Sequence, residues 1–362
     1  MDLLSKLLKK MIRLGASDLF LSSGAPAAFR VNGKLLARTE NDKPLPAGAT
    51  EKMCQLILLD GHRKAFDEKL EMNVAISLPG LGRFRINIFK QRGDIALVIR
   101  AIPLQIPSFE TLQIPTVLKE LVMLPRGLVL IVGPAGSGKS TTLTSMLDHR
   151  NEQDLSHIIT IEDPIEFFHE HKQSVIHQRE IGTDTHSYKE ALCNAMRQSP
   201  DVLVLGEIRD RNTLEHALEY ADTGHLCLAT FHAHNTVQAL ERIVNMFDES
   251  QREQVKLALS MNLQAVLSQK LIEKTESGLI PAWEMLRNTP RTSDLLRRGE
   301  FHELQENIEK DVSSNGMQTF DQTLYELYKA GYISAETALH YADSASNLRL
   351  QMRFASEKTA RQ

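Results

Sequence analysis

Apolar residues recur at helical spacing from the start of the chain. Leu3, Leu4, Leu7, Leu8, Met11 and Ile12 form a stripe, with Lys6, Lys9, Lys10 and Arg13 mostly on the other side. The pattern predicts a basic amphipathic helix that either lies on an anionic membrane or packs on its own domain or a neighbouring subunit. Short strand candidates follow. Leu19-Phe20-Leu21 is one, and Ala28 to Val31 turns at Asn32-Gly33 into Lys34-Leu35-Leu36. A helical stretch near Glu51 to Leu59 precedes a meander of Val74 to Leu78, a Pro79-Gly80 turn, Arg83 to Phe89 and Ile95 to Ile102. Together these predict a small α+β domain with an antiparallel sheet.

Pro103, Pro107, Pro115 and Pro125 punctuate the next stretch, as in a linker or a segment wrapped over the following domain. From Gly127 the pattern changes. Near-continuous apolar runs alternate with helical stretches: Leu128 to Val132, His157 to Ile161, Val202 to Leu205 and Leu226 to Thr230. Such strands belong to a mostly parallel sheet covered on both faces. After Trp283 helical patterns dominate, and Ser356 to Gln362 read as a frayed tail. The expected division is residues 1–103, a linker at 104–124, and 125–362 with a helical part from about 286.

Composition narrows the function. The chain has 362 residues, 42% apolar and 24% charged, enough apolar material for packed cores and too little charge for disorder. With a net charge of −4 and no basic arm, nucleic acid is not an expected partner. No apolar run reaches the length of a transmembrane segment, and the start lacks a signal-peptide core, so a cytosolic protein is expected. Cys54, Cys193 and Cys227 form no C-x-x-C pair, and each reads as a buried small hydrophobe.

The sharpest signal is Gly133-Pro134-Ala135-Gly136-Ser137-Gly138-Lys139-Ser140, which matches the phosphate-loop pattern G-x-x-x-x-G-K-S/T. It follows an apolar strand and precedes a helical stretch from Thr141, the context that the pattern needs. The glycines let backbone N–H groups turn inward around phosphate oxygens, and the helix start adds partial positive charge. Lys139 is placed to reach the β- and γ-phosphates of ATP, and the Ser140 hydroxyl to ligate Mg²⁺.

Three more strands end in polar residues: Ile161-Glu162-Asp163, Leu205-Gly206-Glu207 and Thr230-Phe231-His232-Ala233-His234. Open parallel sheets bind ligands beyond the carboxyl ends of their strands. Carboxylates there can hold Mg²⁺ through its waters or polarise an attacking water. The residues alone also admit a helix-capping or ion-paired Glu207 and a structural His232. His169, His171 and His177 have no such context and read as surface residues.

In this order, GPAGSGKS, ITIEDPIEF, LVLGEIRD and TFHAHN resemble the Walker A, Asp box, Walker B and His box of secretion-type ATPases. ASDLFLSSG, GRFRINIFKQRGDIALVIRAIP and GMQTFDQTLYELY extend the resemblance to the PilT/PilU group, the retraction motors of bacterial type IV pili, over almost the whole chain. The resemblance implies a PAS-like N-terminal α+β domain and a RecA-like P-loop ATPase domain with a helical C-terminal part. It implies a homo-hexameric ring at the cytoplasmic face of the inner membrane, driving pilus disassembly through a membrane platform protein. By similarity, Glu162 helps order Mg²⁺ and water, Glu207 is the catalytic carboxylate and His232 senses the γ-phosphate. Arg92 and Arg100 match arginines that reach nucleotide from the N-terminal domain, and Arg85 on the same meander is a weaker candidate.

One segment departs from the group's A-I-R-N-L-I-R-E pattern. The chain reads Arg291-Thr292-Ser293-Asp294-Leu295-Leu296-Arg297-Arg298, with serine for the first arginine and arginine for the glutamate. This looks more like the PilU branch, whose members assist retraction beside a PilT-like paralogue. The rival readings are a pilus-assembly or type II secretion ATPase, a RecA-like DNA motor, and a structural partner with little activity. The absence of paired cysteines, the acidic balance and the intact Lys139, Ser140, Glu162 and Glu207 speak against them in turn.

Overall fold

A computed structural model describes residues 3–31, 33–36, 43–58, 60–103, 105–311 and 316–359. By their contacts the residues form two units. One is Met1–Gln105 with Glu166–Phe168, and the other is Ile106–Ile165 with His169–Gln362.

The first unit comprises α1 (Leu3–Arg13), β1 (Asp18–Leu21), β2 (Ala28–Val31), β3 (Lys34–Leu35), α2 (Ala49–Ile57), α3 (Asp60–Lys69), β4 (Glu71–Leu78), β5 (Gly82–Gln91) and β6 (Asp94–Ile102). Its strands form one antiparallel sheet in the order β3-β2-β1-β6-β5-β4. Alternation sets the buried face: Phe84, Ile86 and Ile88 of β5 and Leu97 and Ile99 of β6 are fully buried. The stripe of α1 joins this core through Leu4, Leu8 and Met11, while Leu3 and Ile12 stay exposed. Of the two uses predicted for this helix, packing on its own domain is the one observed. Gly33 holds a φ of 77° beside the Val31–Lys34 pair, as a tight hairpin requires. Asn32 of that turn and Leu59 lie outside the described residues. Helix α3 is an element that apolar spacing did not predict.

The strands of the second unit are β7 (Gly127–Val132), β8 (His157–Glu162), β9 (Val175–Glu180), β10 (Val202–Leu205), β11 (Leu226–Phe231), β12 (Leu263–Glu273) and β13 (Leu279–Arg287). Its helices are α4 (Phe109–Leu112), α5 (Val117–Val122), α6 (Lys139–Gln153), α7 (Tyr188–Ala195), α8 (Arg211–Asp222), α9 (Thr236–Asn245), α10 (Glu249–Asn262), α11 (Pro290–Arg298), α12 (His302–Lys310), α13 (Phe320–Lys329), α14 (Ala335–Tyr341) and α15 (Ala345–Thr359). The sheet runs β13-β12-β7-β11-β10-β8-β9, parallel except for β12 with β13.

Successive residues of β7 serve opposite faces. Leu128, Leu130 and Val132 join a core with α7 to α10. Val129 and Ile131 join another with Phe109 of α4, Leu118, Leu121 and Val122 of α5, and Leu143, Met146 and Leu147 of α6. Burial on both faces is why the strand sequence shows no alternation.

Sequence pattern predicted neither β9 nor β12, and the helical patterns expected from Trp283 begin only at α11. Trp283 itself lies within β13, which pairs with β12 through nine residues. Polar Gln264, Ser268, Gln269 and Lys270 break the apolar run of β12, and His177, Gln178, Arg179 and Glu180 make β9 mostly polar. Neither therefore looks like a buried parallel strand. The predicted tail is partly helical, since α15 runs to Thr359, and residues 360–362 lie outside the described set. Cys193 is exposed, unlike the buried Cys54 and Cys227.

Candidate functional site

The phosphate loop joins the end of β7 to the start of α6. Its glycines are required by geometry. At Gly133 (φ 154°) an added Cβ would stand 2.4 Å from the Gln269 carbonyl oxygen and 2.5 Å from Ser137 Oγ. At Gly138 (φ 85°) it would meet Gln269 Nε2 at 2.8 Å. Gln269, on β12, clamps the loop from beneath: its Nε2 donates to the Ser137 carbonyl at 2.8 Å and its Oε1 accepts from Thr142 Oγ1 at 2.8 Å. Helices α7, α8 and α9 are capped by the side chains of Ser187, Asp210 and Asn235. Helix α6 has no side-chain cap and no acidic residue in its first turn. Its leading N–H groups and positive dipole end are thus available to an anion. The candidate phosphate set of Gly133, Pro134, Ala135, Gly136, Ser137, Gly138, Lys139, Ser140 and Thr141 lies along this turn, with Ser140 and Thr141 half-buried.

Lys139 is 7% exposed, and its ammonium group gives hydrogen bonds to the carbonyls of Gly133 (3.0 Å) and Pro134 (2.9 Å). It also lies 3.5 Å from His232 Nδ1. On the other side of the ring, His232 Nε2 donates to Glu207 Oε1 at 2.8 Å. These partners fix the tautomer, with the proton on Nε2 and the Nδ1 lone pair toward the lysine. The second oxygen of Glu207 accepts from Arg209 Nε at 2.7 Å, and Arg209 Nη1 reaches Asp163 Oδ2 at 3.0 Å. One line of contacts thus crosses four strand ends in the order Lys139, His232, Glu207, Arg209, Asp163. Glu207 and His232 sit where the sequence pattern placed them. Asp163 was named there only as the second carboxylate of its strand end, and Arg209, two residues after Glu207, was not singled out.

Glu162 belongs to a neighbouring knot. Its Oε1 accepts from Thr160 Oγ1 (2.6 Å) and Gln178 Nε2 (3.1 Å), and Gln178 Oε1 accepts from the His169 backbone N–H (2.8 Å). His169 corrects an expectation, because it is 4% exposed and not on the surface. Burial pushes its imidazole down to about 4. His171 and His177 are exposed, as expected. Among the described residues no three His, Cys, Asp or Glu side chains form a ready metal cage.

A buried carboxylate steadies the His232 loop. Glu284, on β13, accepts from Thr236 N (2.8 Å) and Oγ1 (2.7 Å) at the start of α9, and Gln305 of α12 approaches at 3.4 Å. Burial pushes its carboxyl above the usual range, against those hydrogen bonds. Neither Glu284 nor Gln269 gave any signal in sequence pattern.

Arg92 and Arg100 belong to the first unit. Arg92 stands exposed at the tip of the β5–β6 hairpin with a φ of 53°. Arg100, on β6, gives Nε–H to Asp18 Oδ1 at 2.9 Å, while its side chain is 65% exposed. Asp18 is 3% exposed and also meets Arg30 at 3.5 Å.

The family described as type II/IV secretion system proteins matches residues 1–326. The type IV pilus ATPase PilU of Pseudomonas aeruginosa is 46% identical over 356 residues, 98% of this chain and 92% of its own length. The type IV pilus retraction ATPase PilT of the same organism is 40% identical over 344 residues, 95% of this chain and 99% of its own. A crystal structure of the pilus retraction motor PilT with bound ADP superposes with a TM-score of 0.88 at 39% identity, covering 95% of this chain and 98% of that one. The chain therefore belongs to the type II/IV secretion system protein family, within the PilT/PilU group of type IV pilus ATPases.

Proposed function

We propose that this chain is a magnesium-dependent ATP hydrolase that works as a closed ring of six and assists type IV pilus retraction beside a PilT-like paralogue. The observation that carries this reading is the line from Lys139 through His232 to Glu207, laid across the strand ends under an uncapped helix start. The residues fit nucleotide. Lys139 gives its hydrogen bonds to two loop carbonyls, partners it can exchange for phosphate oxygens, and the α6 N–H groups face the same place. ADP in the PilT crystal structure is in keeping with this. The site of Mg²⁺ would use the Ser140 hydroxyl and, through water, Glu162, with phosphate oxygens completing the shell. When bound, the ion offsets phosphate charge.

In hydrolysis, water adds to the γ-phosphorus while the bond to the departing ADP oxygen breaks. Glu207 orients that water. His232 touches both Lys139 and Glu207, so a γ-phosphate that draws Lys139 away is felt at the carboxylate. Phosphoryl transfer depends mainly on such positioning and charge. Within this reading the domains are a PAS-like one over 1–103, a linker over 104–124 and a RecA-like one over 125–362. Arg92 and Arg100 complete the nucleotide site, and the ring sits peripherally at the inner membrane against a pilus platform protein. No helix among the described residues is long and apolar enough to cross a membrane.

Phosphate release from Mg-ATP tests the enzyme. Activity per subunit should rise with protein concentration as rings close, and Lys139→Ala should lose nucleotide binding. Full activity in dilute monomer, or in Arg100→Ala, contradicts the ring. The accessory role is tested by pilus retraction in cells without the PilT-like paralogue. Retraction should fail there and be strengthened when both proteins are present; full retraction by this protein alone contradicts it.

A further inference from the structure

Tyr188 is the first residue of α7, held there by the Ser187 cap, whose side chain accepts from Glu190 N at 3.2 Å. Its ring packs on the core that covers one face of the second sheet. The hydroxyl lies at the seam between β8 and β10. A Cβ built on Gly206 would be 3.4 Å from that oxygen and 3.2 Å from the Glu162 Cα. Gly206 is itself fixed: its N–H donates to the Ile161 carbonyl at 2.8 Å, and its own carbonyl accepts from Thr230 Oγ1. The Tyr188 oxygen therefore stands between the strand ends that carry Glu162 and Glu207.

This hydroxyl is buried, and among the described residues its proton has no acceptor. The Glu207 amide lies close enough to favour the ionised oxygen slightly, but an amide only gives, so the hydroxyl proton is left without an acceptor. Burial, then the Asp163 carboxylate, push the phenol well above its ordinary value, with Arg209 opposing and Glu162 adding to the rise. The group is thus a fixed neutral donor. A buried donor with nothing to give to is costly, and phenylalanine would fill the same space without that cost. An acceptor that arrives with substrate accounts for the hydroxyl.

We propose that Tyr188 is a positioning residue whose hydroxyl donates to a water held between Glu162 and Glu207. The proton stays on tyrosine throughout, and the hydrogen bond fixes where the water's lone pairs point. This rests on the reading of the site as hydrolytic and adds a residue from outside the family's named boxes. The ligand class at this spot is water in the shell of the reacting phosphate.

The test is Tyr188→Phe in the full chain, read three ways. The free protein should melt close to the wild-type temperature, because the hydroxyl proton had no acceptor to lose. Affinity for a non-hydrolysable ATP analogue with Mg²⁺ should stay within about twofold, because the loop and Lys139 are untouched. The rate constant for phosphate release at saturating ATP should fall about tenfold. A fall in melting temperature that accompanies the rate loss makes the hydroxyl structural and overturns the proposal. Wild-type turnover with an equally fast Tyr188→Phe overturns it alone. A wild-type chain that binds the analogue yet releases no phosphate overturns the hydrolytic reading and the proposal together.

Discussion

The strand ends of the second sheet and the surface of α11 are both dense in charge, but the two are held in different ways. At the strand ends each polar side chain is tied to another element: Lys139 to the β11 side, Glu207 to both His232 and Arg209, Glu162 to β9, and the loop to β12 through Gln269. On α11, Asp294 is surrounded by arginines of its own helix, Arg291 at 4.0 Å, Arg297 at 3.2 Å and Arg298 at 2.9 Å. Those three arginines are more than half exposed, and Arg291 also pairs with Glu303 of α12. Partners from separate elements fix position to within a hydrogen bond. Partners one turn apart in water fix little, and exposed pairs contribute about 0–1 kcal/mol. A substitution at the strand ends should therefore register in stability or chemistry, and one at Arg297 or Arg298 of α11 in what the protein touches. Ser293 departs from the pattern of the arginines, since it gives its hydroxyl hydrogen to the Ser260 carbonyl of α10 at 2.8 Å.

The largest stability effect expected from this contrast is a pH effect at His169, beside the Glu162 knot. In the fold this imidazole is held down to about 4 from an ordinary 6.5 by burial, with Asp148 opposing and Lys172 adding to the shift. The unfolded chain binds a proton below about 6.5 that the folded chain refuses. Stability from this group is thus complete above that pH and falls as pH drops toward 4, by up to about 3 kcal/mol. Denaturant titrations at pH 7 and pH 5 should show the decline, and His169→Gln should flatten it. An unchanged slope in the variant would show that His169 does not supply it.

How much of this was legible in sequence follows from the same contrast. The phosphate loop announces itself because glycine spacing and one lysine are set by the geometry of the turn alone. Glu207 and His232 were legible because buried strands read as apolar runs and their first polar residue marks the end. Gln269 was not, because its role depends on β12 lying beside β7, a pairing between residues more than a hundred positions apart that no local pattern encodes. Glu284 is hidden for the same reason, and β13, which carries it, was read as the onset of helices. The amphipathic α1 was visible, but which of its two uses applies depends on an apolar face in β1, β5 and β6 that only the fold assembles.

Gln269→Leu sharpens the comparison from the buried side. The substitution keeps the volume but leaves the Ser137 carbonyl and Thr142 hydroxyl without partners, so a loss of about 2 kcal/mol is expected. Thermal melts should show it, together with weaker ATP binding, because Ser137 lies in the loop and Thr142 just after it. A variant as stable and as tightly binding as wild type would mean the clamp is dispensable.

The smallest effect is expected on α11. Arg298→Glu removes one exposed partner of Asp294 and should change stability by less than about 0.5 kcal/mol. Basal ATP hydrolysis should not change. A large loss of either would show that the segment is tied to the site after all and would dissolve the contrast.

The central claim is that the carboxylate held by His232 and Arg209 serves chemistry and not the fold. Glu207→Gln preserves size and one accepting oxygen, so it removes the charge and one of the two accepted hydrogen bonds. Purified wild type and variant should be compared for Mg-ATP affinity and for phosphate release at saturating ATP. The expected result is affinity within a few fold of wild type and a rate constant lower by about a hundredfold or more. Near-normal phosphate release by Glu207→Gln would contradict the account.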